Sequence, residues 1–210
     1  MDPSSGNLYV CDSDAGCVYY TNKQGEVLAC SPAGEVSKPM ALSFCARTRR
    51  VAVADGKFVR LLRADTLLPI KTLSQSTSTA ALVADDMEFK SCLDVAFDGG
   101  GFLYVVDSGL NRVSVFDCSY VNVTTFGCYG SGDGQFSACQ AVCIDGTGKV
   151  FVGDSTRLQM FNRQGQHVLS LAPSTIHPTL SWSQLCCIAT DNRGRLLVCS
   201  HGTSSLLRIL

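Results

Sequence analysis

The sequence predicts an all-β fold built from repeated four-stranded units, because one pattern recurs along the chain and its hydrophobic runs are short. The stretch from Asp98 to Phe116 matches the stretch from Asp145 to Phe161, and the two aspartates are 47 residues apart. The hydrophobic runs are rich in Val, Ile, Leu, Phe and Tyr, which favours strands, and none of them carries a helical period.

Five copies of this unit are visible across nearly the whole chain. Each copy reads as a strand, a glycine-containing turn, a second strand, a loop that begins with aspartate, and two further strands. Repeats of about 40–45 residues with four short strands are typical of β-propeller blades. We therefore predict one propeller domain over residues 1–210, with copies at about 1–32, 37–73, 90–127, 137–172 and 184–210.

The composition is that of a globular chain without a strong charge bias. The chain is 46% hydrophobic and 17% charged, and its net charge of −1 gives no overall attraction to nucleic acid or to an acidic membrane. No segment has the roughly 18 consecutive apolar residues of a membrane span, and the first residues do not resemble a signal peptide. We therefore expect no membrane contact and a cytoplasmic location.

The twelve cysteines have neither C-x-x-C nor zinc-finger spacing. Cys11, Cys143 and Cys199 align with small strand positions of other copies, where cysteine acts as a small hydrophobe. The sequence therefore favours reduced, mostly buried thiols, with disulfides and metal ligation as the alternatives.

The strongest copies resemble a known repeat. The run Gly132–Phe136, the strand that ends at Asp145, and the run Gly148–Ser155 are together similar to the NHL repeat. Asn111 and Arg112, which follow the aspartate-serine loop of the third copy, match that signature as well. The resemblance implies a β-propeller of NHL repeats, with six blades as the usual number.

The two ends of the repeat array leave two interpretations of the ring. The first copy begins after its innermost strand should have ended, and the last copy stops at its third strand. The chain is either part of a six-bladed ring that lacks its N-terminal part or an imperfect five-bladed ring. A Ser/Thr-rich stretch, Ser74–Ala81, is interpreted as an excursion between the second and third copies.

The aspartates that open the loops recur once in each of the first four copies, which indicates a structural role. We expect each carboxylate to accept hydrogen bonds from the loop backbone that follows it, and Arg112 and Arg157 to pair with it across the turn. The recurring positions are Asp12, Asp55, Asp107 and Asp154. The candidate binding residues on or beside these loops are Lys57, Asn111, Arg112, Tyr129, Phe136, Arg157 and His201.

Catalytic motifs are absent from the sequence. No nucleophile elbow or phosphate-binding loop occurs, and none of His167, His177 and His201 lies in a metal motif. We therefore predict a chain that is not an enzyme and uses no cofactor or metal. The basic cluster Arg47–Arg50 and Lys57 should lie on opposite faces of the propeller, since successive turns of a blade alternate between faces, and this weakens RNA binding.

The predicted function is a non-catalytic binding module that presents a rigid, loop-rimmed surface to a protein. The resemblance implies the substrate-recognition part of a RING or tripartite-motif ubiquitin ligase (TRIM-NHL or malin-like). Two alternatives stay open: a regulator that binds single-stranded RNA, and a metal-dependent propeller enzyme of lyase or lactonase type. An oligomer is expected only if an upstream coiled coil exists.

Overall fold

The computed structural model describes residues 1–73, 89–172, 185–191 and 195–200. Within these ranges the chain folds into strands and turns, and they hold no helix with the length and hydropathy needed to cross a bilayer. Ser74–Ala81 and His201, both singled out from the sequence, lie outside the described residues.

The strands form five antiparallel sheets, each of which falls within one of the predicted copies. The first sheet holds β1 (Leu8–Asp12), β2 (Cys17–Thr21) and β3 (Val27–Cys30). The second holds β4 (Pro39–Cys45), β5 (Arg50–Asp55), β6 (Phe58–Arg63) and β7 (Pro69–Leu73). The third holds β8 (Cys92–Phe97), β9 (Leu103–Asp107), β10 (Arg112–Phe116) and β11 (Asn122–Phe126). The fourth holds β12 (Ala141–Ile144), β13 (Val150–Gly153), β14 (Leu158–Phe161) and β15 (His167–Leu171), and the described part of the fifth holds β16 (Leu185–Thr190) and β17 (Leu196–Ser200).

The hydrophobic cores lie between neighbouring sheets. A middle strand contributes side chains to two of these cores, one on each face of its sheet. In β9, Leu103 and Val105 face the second sheet, whereas Tyr104 and Val106 face the fourth. Successive side chains of a strand point to opposite faces, so a strand between two cores must be apolar at every position. This accounts for the unbroken hydrophobic runs in the middle strands.

The innermost strands β4, β8, β12 and β16 pack against one another in sequence order. Side chains of one inner strand bond to the backbone of the next: Ser43 Oγ accepts from Phe97 N at 3.0 Å, and Asp94 Oδ2 accepts from Val142 N at 2.8 Å. Thr190 Oγ1 donates to the Ile144 carbonyl at 3.1 Å. An inner strand has an edge without a ladder partner, and these side chains satisfy backbone groups there.

The fold is therefore all-β and propeller-like, as the repeat predicts. Sheets two to four have the strand order of complete four-stranded blades, each running from an inner to an outer strand. The first sheet has three strands and begins at the position of a second blade strand.

Candidate binding rim

Because the strands of each sheet are antiparallel, its turns divide between two ends of the propeller. We call one end the front rim: it carries the β1–β2, β5–β6, β9–β10 and β13–β14 turns and the connections between sheets. The back rim carries the remaining turns within the sheets. The predicted binding residues within the described ranges all lie on the front rim or beside it.

Three buried aspartates hold the front rim together. Asp55 accepts hydrogen bonds from Ser37 N at 3.1 Å and Lys38 N at 2.6 Å. Asp107 accepts from Lys90 N at 3.1 Å and Ser91 N at 3.0 Å. Each carboxylate thus ties the second strand of a blade to the connection that enters the same blade.

This differs from the expectation that each aspartate caps the loop that follows it. Asp12 does so, since it accepts from Asp14 N and Ala15 N, and Asp154 does both, with bonds to Thr156 N, Arg157 N and the earlier Ser137 N. For Asp55 and Asp107 the backbone donors belong to the earlier connection, which lies 16 to 18 residues upstream. Proximity in sequence suggested that the loop after each aspartate would supply the donors. The strand register instead places the connection before the blade beside the carboxylate.

Arginines lie next to the three buried carboxylates. The Nε atoms of Arg112 and Arg157 lie 3.9 Å from a carboxylate oxygen of Asp107 and of Asp154 respectively. In the second sheet the partner is Arg60, whose Nε lies 3.4 Å from Asp55 Oδ2. These guanidinium groups are largely buried. Their positive charge compensates the buried carboxylates inside the protein.

Several side-chain hydrogen bonds hold the connection from residue 127 to residue 138 on the front rim. Arg157 Nη2 donates to the carbonyls of Gly132 and Gln135, and Gln159, which is fully buried, donates to the Gln135 carbonyl at 2.6 Å. Gln159 Oε1 also accepts from Gly134 N at 2.9 Å. The backbone of this loop is therefore fixed by side chains of β14 and of the turn before it.

Gln159 was not singled out from the sequence, although a signal for it exists. The strand register places Arg60, Ser114 and Gln159 at the same position of the third strand in three successive blades. A polar residue that recurs in the middle of a buried strand indicates hydrogen bonding to a neighbouring element.

Phe136 is fully buried, so its assignment to the binding surface is wrong. Its ring packs on Phe161 with 5.6 Å between centroids, inside the core between the third and fourth sheets. The chain enters the fourth blade here, and the apolar side chain at this point turns inward to fill the inter-blade core.

We predict that Gly127→Ala lowers the free energy of unfolding by about 2 kcal/mol. Gly127 has φ of +93°, and an added Cβ would lie 2.5 Å from Phe136 Cδ2. The matched control is Gly25→Ala, which has φ of +86° and open space around the added Cβ. Urea denaturation should show a loss of only about 1 kcal/mol for the control. Equal losses would mean that the Phe136 contact does not matter.

Tyr129 is strongly exposed, with 77% of its surface accessible. It lies on the same loop as Phe136 and pairs with it in an isolated parallel bridge. Asn111, in the neighbouring β9–β10 turn, accepts a hydrogen bond from Ala138 N at 2.7 Å through its side chain. Asn111, Tyr129 and Arg157 are therefore brought together at the boundary between the third and fourth sheets.

Lys57 is exposed in the β5–β6 turn, one boundary away from Tyr129. The basic cluster is on the back rim, in the β4–β5 turn, and its arginines have partners there. Arg47 donates to the Gly100 carbonyl, Arg49 pairs with Asp2 and Asp65, and Arg50 lies 5.2 Å from the ring centre of Tyr120.

A serine, a histidine and an aspartate also meet beside the front rim. His167 Nε2 lies 2.8 Å from Ser170 Oγ, and Ser170 Oγ donates to Asp133 Oδ1 at 2.9 Å. Asp133 Oδ1 is 3.5 Å from the same ring nitrogen. In a catalytic triad the carboxylate bonds the other ring nitrogen, so this arrangement does not orient a general base.

No group of three metal-binding side chains is found in the part of the chain that the structure describes. The described cysteines form no disulfide. Five of them are buried, and burial raises the pKa of Cys139 to about 12 and that of Cys92 and Cys143 well above the usual value. Cys30, Cys128, Cys187 and Cys199 are exposed, so the expectation of buried thiols holds for only part of the described cysteines.

Comparisons with known proteins define the class of fold. No family model and no curated protein matches the sequence. Among solved structures, the chain is similar to hydrazine synthase of Kuenenia stuttgartiensis, with a TM-score of 0.66 and 13% identity over 94% of this chain and 53% of that one. It is also similar to a protein of unknown function from Bacteroides caccae, with a TM-score of 0.65 and 10% identity over 97% of this chain and 72% of that one.

At such low identity these likenesses concern the fold alone, which is propeller-like. The chain spans about half the length of the hydrazine synthase chain that it matches.

Proposed function

We propose that the chain is a non-catalytic protein-binding module whose partner docks on the front rim around Tyr129. The observation that carries the proposal is a large, exposed aromatic side chain on a loop whose backbone is fixed from below by Arg157 and Gln159. Tyrosine is among the residues that dominate binding energy at protein interfaces. A loop that is already ordered loses little conformational entropy on binding, which favours affinity.

The NHL resemblance extends this proposal to the whole protein. The pattern Gly132–Phe136 followed by Gly148–Ser155 is the string on which the resemblance rests, and its first part forms the fixed loop that carries Tyr129. We propose that the chain is the substrate-recognition part of a RING or tripartite-motif ubiquitin ligase. In that arrangement the front rim selects the protein to be modified, and the ligase chemistry resides elsewhere.

The proposal predicts that Tyr129→Ala weakens partner binding by about 2 kcal/mol or more while leaving the free energy of unfolding unchanged. A side chain that is 77% exposed contributes little to the core. Its removal should therefore lower the affinity for the partner and leave the stability of the fold nearly unchanged. The measurement is affinity capture of partners from cells by the full-length protein, followed by titration of the captured partner against each variant.

The matched control is Leu68→Ala, which removes an apolar side chain that is 49% exposed on the back rim. This variant should bind the partner as the unmodified protein does. If Leu68→Ala abolishes binding and Tyr129→Ala does not, the partner docks on the back rim and the proposal is wrong.

A further inference from the structure

Two thiols meet on the first sheet, next to the front rim. Cys17 begins β2, and Cys30 ends the neighbouring strand β3. Cys30 lies opposite Tyr19, and Cys17 is two residues before Tyr19, so the three side chains lie on one face of the sheet. The thiols of Cys17 and Cys30 are hydrogen-bond partners. We call Cys17 and Cys30 the thiol pair.

The face that carries the thiol pair is accessible to solvent. Val10, which lies opposite Tyr19 on β1, is 45% exposed, whereas Val105 at the same position of β9 is fully buried. Within the thiol pair, Cys30 is exposed and Cys17 is buried. A small molecule in solution can therefore reach the sulfur of Cys30 before that of Cys17.

Packing in a hydrophobic core does not explain the exposed cysteine. In the other outer strands that the structure describes, the register gives the position of Cys30 to residues with a hydroxyl group, namely Thr72, Thr125 and Ser170. Arg60 Nη1 donates to the Thr72 hydroxyl at 2.9 Å, and the Ser170 hydroxyl donates to Asp133 at 2.9 Å. Because this position is polar in the other blades, Cys30 does not act there as a small hydrophobe.

The outer strand has the freedom to bring the two sulfurs together. β3 pairs with β2 alone, and a bulge interrupts their register between Tyr20 and Thr21. A disulfide needs Cβ atoms about 3.5–4.5 Å apart. Since the two thiols already interact, a small shift of a strand that is paired on one side is enough to join them.

We infer that the thiol pair is a site of reversible oxidation, at which a small-molecule disulfide such as oxidised glutathione converts Cys17 and Cys30 into a cross-strand disulfide. An exposed cysteine next to a second, resolving cysteine is the arrangement of redox-sensitive sites. The inference concerns a different sheet from the loop that carries Tyr129 and does not depend on the docking of a partner there.

The oxidation takes place in two exchange steps. The Cys30 thiol loses its proton to water, and its thiolate attacks one sulfur of oxidised glutathione. The glutathione S–S bond breaks, one glutathione leaves and takes up a proton, and Cys30 carries the other in a mixed disulfide. The Cys17 thiol then loses its proton, and its thiolate attacks Cys30 Sγ and displaces the second glutathione. The protein gives up two electrons and two protons, and oxidised glutathione becomes two molecules of reduced glutathione.

The surroundings of Cys30 determine how fast the first step proceeds. Partial desolvation of its sulfur, followed by the neighbouring Cys17 thiol, raises the pKa of Cys30, and Cys30 Sγ donates to the Ser31 carbonyl at 3.4 Å. The thiolate is the nucleophile in disulfide exchange, so a raised pKa slows the reaction at neutral pH. Mildly alkaline solution, at about pH 8.5, is therefore the condition in which to measure it.

The test treats the folded chain with oxidised glutathione at about pH 8.5, blocks the remaining thiols, and maps the disulfides by mass spectrometry of proteolytic peptides. The variants are Cys30→Ser and Cys17→Ser. Cys30→Ser introduces the hydroxyl that other outer strands carry at this position and should fold normally. The matched control is Cys128→Ser, which removes another exposed thiol. Mapping also separates the thiol pair from Cys187 and Cys199, which lie opposite each other in the fifth sheet.

The expected product is a peptide pair joined through Cys17 and Cys30, which dithiothreitol separates again. It should form equally in Cys128→Ser and be absent from Cys30→Ser. In Cys17→Ser the reaction should stop after its first step, so the mixed disulfide of Cys30 with glutathione accumulates about tenfold or more above its level in the unmodified protein. If Cys30 of the unmodified protein remains in the mixed disulfide, or joins a cysteine other than Cys17, the inference is wrong.

Urea denaturation of the oxidised and reduced proteins provides a second readout. The disulfide closes a loop of about 15 residues, so oxidation should lower the equilibrium constant for unfolding by roughly tenfold to a hundredfold. The same treatment of Cys30→Ser should leave its unfolding unchanged. An oxidised protein that is no more stable than the reduced one would show that the bond does not fit the folded sheet, which overturns the inference.

Discussion

Replacing Asp107 with alanine should lower the free energy of unfolding by about 3–5 kcal/mol. The carboxylate is fully buried and accepts hydrogen bonds from Lys90 N and Ser91 N, with Arg112 Nε 3.9 Å away. Its removal leaves two backbone donors and a largely buried guanidinium without their carboxylate. The loss is measured by urea denaturation, followed by far-ultraviolet circular dichroism.

Two further variants separate this role from a general effect of losing an aspartate. Asp107→Asn keeps an acceptor for one backbone donor and should recover part of the stability. Asp12→Ala removes a half-buried carboxylate that caps its own turn through Asp14 N and Ala15 N, and should cost about 1 kcal/mol. If Asp107→Ala costs no more than Asp12→Ala, the buried aspartates do not hold the rim together.

The second large effect concerns pH and the inner strand residue Asp94. Burial raises the pKa of this carboxyl from its ordinary value of 3.8 to about 7, although Val95 N and Val142 N both donate to it. The folded protein therefore keeps a proton that the unfolded chain releases above about pH 4. The contribution of Asp94 to stability falls as the pH rises from about 4 to about 7, by about 2–4 kcal/mol, and is constant above that range.

Asp94→Asn should remove this dependence. The amide cannot ionise and keeps one oxygen for a backbone donor, so the variant should match the unmodified protein near pH 4 and exceed its stability at about pH 8 by about 2 kcal/mol. The measurement is the difference between the two unfolding free energies as a function of pH, in which the other titrating groups cancel. A difference that does not change with pH contradicts a neutral Asp94 in the folded protein.

The repeat in the sequence was enough to predict the all-β propeller fold, because blade formation depends on local patterns. Each blade needs short apolar strands and turn residues at fixed spacing, and the stretches around Asp98 and Asp145 show both. The aspartates at the ends of the second strands were recognisable for the same reason. What they bond to was only partly predictable, since Ser37 and Lys90 reach Asp55 and Asp107 through strand register rather than through proximity in sequence.

The composition of the rim was harder to predict. Phe136 and Tyr129 lie on one loop and are both aromatic, yet one is fully buried and the other is 77% exposed. The difference depends on which side chain meets Phe161 of the next sheet, and that follows from tertiary packing. The pairing of Asp94 with Val142 also joins different blades, so no pattern within one repeat indicates it.

Site-specific photo-crosslinking shows directly whether the front rim is the face that contacts the partner. A benzophenone amino acid is placed at Tyr129 on the front rim or at Leu68 on the back rim, both of which are exposed positions. The full-length protein is then irradiated in cells. We expect the captured partner to be covalently linked through position 129 and not through position 68. Crosslinking through position 68 alone would place the partner on the back rim, and the proposed binding face would be wrong.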